Sequence, residues 1–227
     1  MTSKNAFSDL SHHARVLTPT SGQLPPTLGE VDAVRLLSTH PVLLRALGSE
    51  DWDVLGAAVA RLPMVHQTRG DIADHRLEVG MVVSNNPRPS LACSEGRELV
   101  KLLQRPRMRA LYQELAGHQR PLHLRRVQAN RMREGNYNRA HCDRDDDPDY
   151  TMAVLFYFTD PCRFAGGELV FPDSGDRLRP GRHDVVFMRA DVLHELTPVT
   201  RAVEPRLCLV VLMGEHDGPN RRFAALA

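Results

Sequence analysis

The sequence has few cysteines, little net charge and no long apolar run, and each shortage excludes a class of protein. Its four cysteines are widely spaced and include no CxxC pair, which argues against a zinc knuckle or a disulfide framework and suits a reducing compartment. The formal net charge of +1 gives no electrostatic reason to bind nucleic acid or an anionic membrane. No run approaches the roughly 18 apolar residues of a membrane span, and the N-terminus lacks a signal-peptide core. We therefore predict a cytoplasmic protein with no nucleic-acid or membrane partner.

The first half of the chain carries helical patterns after an irregular start. Residues 1–28 contain several prolines and no periodicity, so we predict an irregular N-terminal arm. Apolar residues at Trp52, Leu55, Val59 and Leu62 predict the buried face of one helix, which Ser49 is placed to cap. Pro41 is placed for the first turn of a preceding helix.

From about residue 121 short β-branched and apolar runs alternate with turns rich in glycine and proline. Strands at this spacing indicate a sandwich or jelly roll rather than βαβ units. We predict an α+β fold in which a helical layer, about 29–118, backs a cupin-like double-stranded β-helix, about 121–215. The helices have one apolar face each and need the sheet to cover it, so residues 29–227 are predicted to form a single domain.

His141 and Asp143 form a His-x-Asp tripeptide within the run HCDRDDDPDY. In a β-strand residues two apart face the same side, so the imidazole and the carboxylate would lie side by side. They would be two ligands of a facial 2-His-1-carboxylate iron site. The alternative is a surface histidine beside a solvated acidic turn, because such a tripeptide also arises by chance.

Two residues further along the chain extend this hypothesis. His194 lies between strand-like runs and is a candidate third ligand, although a histidine with satisfied hydrogen bonds at a strand end is the alternative. Arg206 opens the apolar run RLCLVVLM, 12 residues after His194. If Arg206 is buried it needs a partner, and a carboxylate matches its planar guanidinium. The alternative is an exposed position at the start of the strand.

Five elements follow one another in the C-terminal half: His141-x-Asp143, FAGGELVF (164–171), PGRHDVVF (180–187), HELTPV (194–199) and Arg206. This order resembles the Fe(II)/2-oxoglutarate-dependent oxygenases, in their prolyl-hydroxylase-like branch, over about residues 122–215. The resemblance implies that His141, Asp143 and His194 bind iron and that Arg206 binds the distal carboxylate of 2-oxoglutarate. The implied cofactors and co-substrates are Fe(II), 2-oxoglutarate and O2.

The match also has a departure and a narrower form. The family often has a small hydroxyl residue two positions after the arginine, where this chain has Cys208. The run from Leu124 to Tyr150 is similar to small non-haem iron hydroxylases and halogenases that act on free amino acids. The halogenases have glycine in place of the carboxylate ligand, and Asp143 fills that position here, which favours hydroxylation.

The resemblance implies a dioxygenase that hydroxylates an unactivated C–H bond of a small molecule, a free amino acid, and releases succinate and CO2. Tyr137 is predicted to contact 2-oxoglutarate, and Arg131, Asn138 and Arg144 are predicted to contact substrate. Tyr137 and Asn138 are alternatively turn residues, and Arg144 alternatively pairs with neighbouring aspartates.

Several alternatives stay open at this point. The acidic residues after Asp143 are predicted to form a solvated loop that gates the site, because they lack the glycine and glutamate of a calcium-binding loop. The substrate could instead be a protein or peptide side chain. A non-catalytic or zinc-occupied jelly roll is a further alternative. The arm at residues 1–28 leaves a lid or a homodimer contact open.

Overall fold

The computed structural model describes residues 15–16, 42–44, 47–67, 75–86, 88–116 and 121–220. The predicted arm at 1–28 lies outside these residues, except for the two-residue strand β1, Arg15–Val16. No helix in the described part of the chain is long and apolar enough to cross a membrane.

Three α-helices lie in the described part of the N-terminal half: α1 Ser49–Ala60, α2 Arg97–Leu103 and α3 Pro106–Ala116. Helix α1 buries the predicted face, including Trp52, Leu55 and Val59. The prediction that Ser49 caps this helix is wrong, because Ser49 is its first residue. The cap position is Gly48, which has no side chain to accept the backbone N–H bonds.

The helix predicted to begin at Pro41 is also wrong where the structure describes it. Val42–Leu44 form strand β2, which pairs antiparallel with β1 and with strand β12, Val185–Arg189. A short apolar run does not distinguish a strand from a buried helix by periodicity alone. Pairing with the buried strand β12 determines the conformation here.

The other strands are β3 Val65–Gln67, β4 His75–Ser84, β5 Ser90–Leu91, β6 His123–Met132, β7 Tyr137–His141, β8 Tyr150–Tyr157, β9 Phe164–Gly166, β10 Leu169–Phe171, β11 Asp176–Leu178, β13 His194–Leu196, β14 Val199–Ala202 and β15 Arg206–Gly214. The predicted run of short strands after residue 121 is confirmed. Strand β4 comes from the predicted helical layer and joins the sheet between β6 and β7.

The strands form one strongly curled antiparallel sheet. One part of it, the major sheet, has the order β2-β12-β8-β15-β6-β4, and it continues as the minor sheet, with the order β7-β13-β10-β11. Strand β4 links the major and minor sheets because it pairs with β6 along most of its length and with β7 at its start. Strands β9 and β14 pair separately. This is the predicted double-stranded β-helix, with helices added from the N-terminal half.

Two different apolar clusters lie on the two sides of the major sheet. Helices α1 to α3 pack on its outer face, where Trp52 and Leu55 join Val127, Phe156 and Val211. We call the space between the major and minor sheets the barrel interior. Its apolar cluster consists of Tyr150, Ala153, Leu155, Tyr157, Leu169, Phe171, Leu178, Val186, Met188, Ala190, Cys208 and Leu212. Because the helices cover the sheet with their apolar faces, the packing supports our proposal that they and the sheet form a single domain.

Candidate active site

Three candidate metal ligands meet where β7 ends beside β13. His141 and His194 are register partners across these strands, and their ring centroids lie 4.4 Å apart. Asp143 begins a 3₁₀ turn, Asp143–Asp145, directly after β7. Its Oδ1 lies 3.8 Å from Nε2 of His141 and its Oδ2 lies 3.9 Å from Nε2 of His194. The sequence predicted a shared strand face, whereas the structure brings Asp143 to the histidines through this turn.

Hydrogen bonds orient both imidazoles with Nε2 toward Asp143. Nδ1 of His141 lies 2.7 Å from the carbonyl oxygen of Arg139, and Nδ1 of His194 lies 3.0 Å from that of Val192. A carbonyl oxygen only accepts, so each Nδ1 carries the proton and each Nε2 is left with a lone pair. Burial lowers the pKa of His194, and neighbouring His141 adds to this effect although Asp143 opposes it. Neutral His194 is therefore favoured, which is the form that binds a metal.

The three side chains fit a divalent metal ion. Their ligand atoms all lie within 4.8 Å of one another, and no other group of this kind occurs among the described residues. Asp143 is buried, and its Oδ2 has no hydrogen-bond partner in the described structure. A buried carboxylate oxygen without a donor is costly unless a cation satisfies it. Two imidazoles and one carboxylate on one side of a site leave further coordination positions for other ligands.

Arg206 lies inside the barrel with an unsatisfied guanidinium. It is only 2% exposed, and its Nη2 has no hydrogen-bond partner within the described part of the chain. Its Nη1 donates to the sulfur of Met132 at 3.5 Å, and its Cζ lies 5.1 Å from the ring centroid of Tyr157. No carboxylate among the described residues forms an ion pair with it. Arg206 is therefore buried and not exposed at the start of the strand, and its environment fits a carboxylate ligand from outside the chain.

Tyr157 supplies a hydroxyl group next to this guanidinium. It pairs with Cys208 across β8 and β15, and both side chains belong to the cluster of the barrel interior. The Tyr157 hydroxyl is buried without a hydrogen-bond partner among the described residues, and burial raises its pKa, so it stays protonated and can donate. Burial also raises the pKa of Cys208 to about 12, which keeps its thiol neutral. Tyr157 therefore offers the hydroxyl donor that position 208 lacks.

Gly167 gives Arg206 its room. It has a φ of +65°, and a Cβ on it would lie 3.0 Å from Cδ of Arg206 and 3.0 Å from Cγ2 of Val199. Glycine is the residue that adopts this backbone conformation without strain. Gly167 is thus part of the wall beside the Arg206 side chain.

Comparison with known proteins identifies this arrangement. Residues 127–213 match the model of the 2OG-Fe(II) oxygenase superfamily. A PKHD-type hydroxylase of Idiomarina loihiensis is 32% identical over 171 residues, which cover 70% of this chain and 72% of that relative. The chain belongs to the 2OG-Fe(II) oxygenase superfamily. This oxygenase is therefore an enzyme that uses Fe(II), 2-oxoglutarate and O2, as the resemblance implied.

Two solved structures support the fold of the oxygenase. A 2OG-Fe(II) oxygenase family oxidoreductase from Burkholderia pseudomallei superposes with a TM-score of 0.76 at 26% identity, over 87% of this chain and 96% of that one. A prolyl hydroxylase from Trichoplax adhaerens, in complex with a peptide fragment of hypoxia inducible factor, superposes with a TM-score of 0.59 at 14% identity, over 87% and 92% of the two chains. The second likeness shows the fold alone.

Two of the residues predicted to contact 2-oxoglutarate or substrate, Tyr137 and Asn138, lie on β7. Asn138 of the oxygenase pairs with Leu196, which packs against the interior cluster, and the Oδ1 of Asn138 is buried with no partner in the described structure. Asn138 thus faces the side on which substrate is expected. Tyr137 is half-buried, with the Cζ of Arg139 at 4.9 Å from its ring centroid. Its contact with 2-oxoglutarate stays a prediction.

The two predicted substrate arginines have protein partners. Arg131 alternates with Asn130 and Met132 along β6, so it points away from the interior, and it pairs with Glu78 on β4. The structure does not bring Arg131 to the triad. Arg144 is largely exposed; its Nη1 lies 3.5 Å from the carboxylate of Asp191 and its Nε donates to the carbonyl oxygen of Tyr150 at 3.3 Å. The sequence suggested a partner among the neighbouring aspartates, but Asp191 lies outside that acidic run.

Sequence reasoning missed Tyr157. The available indication was a tyrosine near the end of the apolar strand YTMAVLFYF, because a buried tyrosine hydroxyl needs a partner. The pairing of Tyr157 with Cys208 joins residues that are distant in the chain, and that register is not visible in the sequence. Gln128 and Asn130 share one face of β6, and Nε2 of Gln128 donates to Oδ1 of Asn130 at 2.9 Å.

Proposed function

We propose that the oxygenase hydroxylates an unactivated C–H bond of a free amino acid. In this proposal His141, Asp143 and His194 hold Fe(II), and Arg206 with Tyr157 binds the distal carboxylate of 2-oxoglutarate. The observation that carries the assignment is the presence of two unsatisfied groups in one barrel. Asp143 has an orphaned carboxylate oxygen, and Arg206 has an orphaned guanidinium nitrogen. A metal ion and a carboxylate co-substrate would satisfy both.

The chain's own residues bind, orient and shield the reactants. When bound, Fe(II) with O2 and 2-oxoglutarate supplies the oxidant that inserts one oxygen atom into the substrate C–H bond, while the co-substrate becomes succinate and CO2. Backbone carbonyls at Arg139 and Val192 hold the two imidazoles with Nε2 toward the metal position. The buried donors of Arg206 and Tyr157 fix one end of the co-substrate. The apolar interior wall excludes water and side reactions.

A small polar substrate is supported by the amides that face the interior. Gln128 and Asn130 stand on the interior face of β6, because Asn130 pairs with Cys208 of the interior cluster and Gln128 pairs with Val210, which packs against that cluster. Gln128 and Asn130 bond to each other, whereas the buried amide oxygen of Asn138 has no partner among the described residues. The Asn138 oxygen therefore favours a ligand with its own hydrogen-bond donors, since a buried polar group needs a partner. An amino acid has such donors in its ammonium group.

A peptide side chain is the second candidate substrate. It is favoured by the fold, which this chain shares with the Trichoplax prolyl hydroxylase that is bound to a peptide fragment. The exposed side chains of Arg76 and Arg139 at β4 and β7 would then lie beside the bound peptide. The non-catalytic jelly roll is no longer needed as an alternative, because the family is one of enzymes and its triad geometry is intact.

The proposal is tested by anaerobic titration of the apoprotein with Fe(II) and then with 2-oxoglutarate. We expect a visible metal-to-ligand charge-transfer band, which requires metal and co-substrate to be bound together. Succinate release should then be screened across free amino acids and, separately, across proline-containing peptides. No band in the wild-type protein would contradict the iron site. Succinate release coupled only to peptides would favour the second candidate.

Replacing Arg206 with methionine is expected to raise the KM for 2-oxoglutarate by about 10- to 100-fold. A hydrogen bond to a charged group contributes about 1.5–3 kcal/mol, which corresponds to this range. The apoprotein should be as stable as the wild type or more stable, because the substitution removes a buried charge that has no ion pair among the described residues. Steady-state kinetics with varied 2-oxoglutarate and thermal unfolding of the apoprotein measure the two effects.

The matched control is Arg177→Met. This guanidinium is exposed on β11 and pairs with Glu168, so the KM should not change. An unchanged KM in Arg206→Met would show that the buried guanidinium does not bind the co-substrate.

A further inference from the structure

Two ion pairs join strand β6 to the residues that directly follow the 3₁₀ turn of Asp143. Below, "the turn" means residues 143–149. Nη1 of Arg126 lies 2.6 Å from Oδ2 of Asp146, and Nη2 of Arg125 lies 2.7 Å from Oδ2 of Asp147. The second pair is fully buried on both sides. We call these four residues the β6 clasp. The acidic run was predicted to be a solvated gating loop, and this is wrong for Asp146 and Asp147, which are buried.

A β-bulge lets two consecutive arginines reach the same turn. Neighbouring residues of a regular strand point to opposite faces. In β6, Arg126 pairs with Leu212 and Leu124 pairs with Met213, so Arg125 is the extra residue between two paired positions. A bulge of this kind redirects a side chain and interrupts the alternation. Arg125 and Arg126 therefore both reach the turn at Asp146 and Asp147.

Other contacts close around the same turn. Asn85 at the end of β4 donates to Oδ2 of Asp147 at 2.7 Å. Arg125 also donates to the carbonyl oxygen of His216 at 3.0 Å, beyond β15. A Cβ on Gly214 would lie 2.3 Å from the carbonyl oxygen of Asp149, so the turn rests directly on the end of β15. Three strands thus meet at the turn.

The position of Asp143 depends on this turn. The backbone N–H of Asp146 donates to the carbonyl oxygen of Asp143 at 3.0 Å, and that of Arg144 donates to the carbonyl oxygen of Ala190 at 2.9 Å. Among the residues that the structure describes, the Asp143 carboxylate has no hydrogen-bonded partner at Oδ2 that would hold it against the histidines. Its placement is therefore set by its backbone, and the clasp holds that backbone on one side.

We infer that the β6 clasp positions Asp143 as a metal ligand, and that Asp146 and Arg126 are positioning residues for the metal site. This inference rests on the proposed function. It goes beyond it because neither residue belongs to the candidate metal-ligand set. A ligand held to within a few tenths of an ångström by its supporting residues binds metal more tightly than a mobile one.

The test is metal affinity measured with Co(II) alone, by calorimetric titration of the apoprotein. We expect Asp146→Asn and Arg126→Gln each to weaken Co(II) binding by about tenfold, in the range seen for residues that support metal ligands. Arg126→Lys keeps the positive charge and should recover part of the loss. Because the readout is binding of the metal alone, it does not depend on substrate or turnover.

Glu78→Gln is the matched control. The Arg131–Glu78 pair also joins β6 to another element and is similarly half-buried, with side chains 30% and 19% exposed against 27% and 12% for Arg126 and Asp146. It has no link to the turn, so Co(II) affinity should stay within about twofold of the wild type. Thermal unfolding of both apoproteins checks that any loss of stability is comparable.

The outcomes distinguish a failure of the positioning role from a failure of the proposed function. Equal Co(II) affinity in Asp146→Asn and Glu78→Gln, with a wild type that binds one equivalent, would overturn the positioning role and leave the proposed function intact. A wild type that binds no Co(II) would overturn the proposed function and this inference with it. A selective loss in Asp146→Asn and Arg126→Gln supports the clasp.

Discussion

Replacing Asp143 with alanine is expected to abolish hydroxylation. The variant keeps both histidines but loses the carboxylate, whose two oxygens lie 3.8 Å and 3.9 Å from the Nε2 atoms of His141 and His194. We expect turnover to fall by at least about 10³-fold, because a loss of about 4 kcal/mol of metal-centred stabilisation corresponds to that factor. Succinate release and product formation measure turnover, and the Fe(II)–2-oxoglutarate charge-transfer band reports on the site directly.

The control for this prediction is Asp145→Asn. Asp145 lies in the same 3₁₀ turn and carries the same charge, but its side chain is exposed. A general effect of negative charge near the site would appear in both variants, whereas an effect of a lost ligand appears only in Asp143→Ala. Full hydroxylase activity in Asp143→Ala would contradict the ligand assignment.

The triad could be predicted from sequence because its chemistry leaves a short pattern in a fixed order. His141 and Asp143 are close in the chain, and both His194 and Arg206 stand beside apolar strand runs. The two-residue spacing correctly brought His141 and Asp143 together. The reason, a shared strand face, was only partly right, since Asp143 lies in a turn and not in the strand. A ligand set tolerates this difference because it depends on where the atoms meet and not on the element that brings them there.

The parts that could not be predicted depend on contacts between distant segments. Arg131 and Asn130 are adjacent in sequence and equally plausible near a site, but the alternation of β6 sends only Asn130 into the interior. Tyr157 meets Arg206 through the register of β8 and β15. Strand register follows from turn geometry and from the burial of whole faces, which a single sequence shows only weakly.

The acidic run shows the same limit in its electrostatics. Five aspartates in seven residues indicate a solvated loop when they are considered alone. Asp143 is buried at the triad, and Asp146 and Asp147 are buried because they pair with Arg126 and Arg125, about twenty positions earlier in the chain, which a bulge in β6 directs toward them. A run of one charge therefore needs its opposite charges to be located before its exposure can be judged.

Replacing Asp147 with asparagine is expected to destabilise the protein by about 3–5 kcal/mol. The substitution keeps the shape of the side chain and removes its charge, so the fully buried guanidinium of Arg125 loses its ion-pair partner. Asn85 would also face an amide instead of a carboxylate at the same position. For a chain of this length about 3 kcal/mol lowers the unfolding temperature by roughly 6–12 °C. Chemical and thermal unfolding of the metal-free protein measure the loss.

The comparison that decides the mechanism is Glu98→Gln, which removes one charge from the exposed pair between Glu98 and Lys101 on α2. Solvent screens that pair, so its unfolding midpoint should not change measurably. If Asp147→Asn were as mild as Glu98→Gln, the buried pair would be stabilised by its hydrogen bonds and not by its charge, because asparagine retains an acceptor for Arg125. A large loss confined to Asp147→Asn would instead show that the charge of Asp147 keeps Arg125 buried. The turn that carries Asp143 would then depend on that charge, since Arg125, together with Arg126, joins it to β6 and also bonds to the segment after β15.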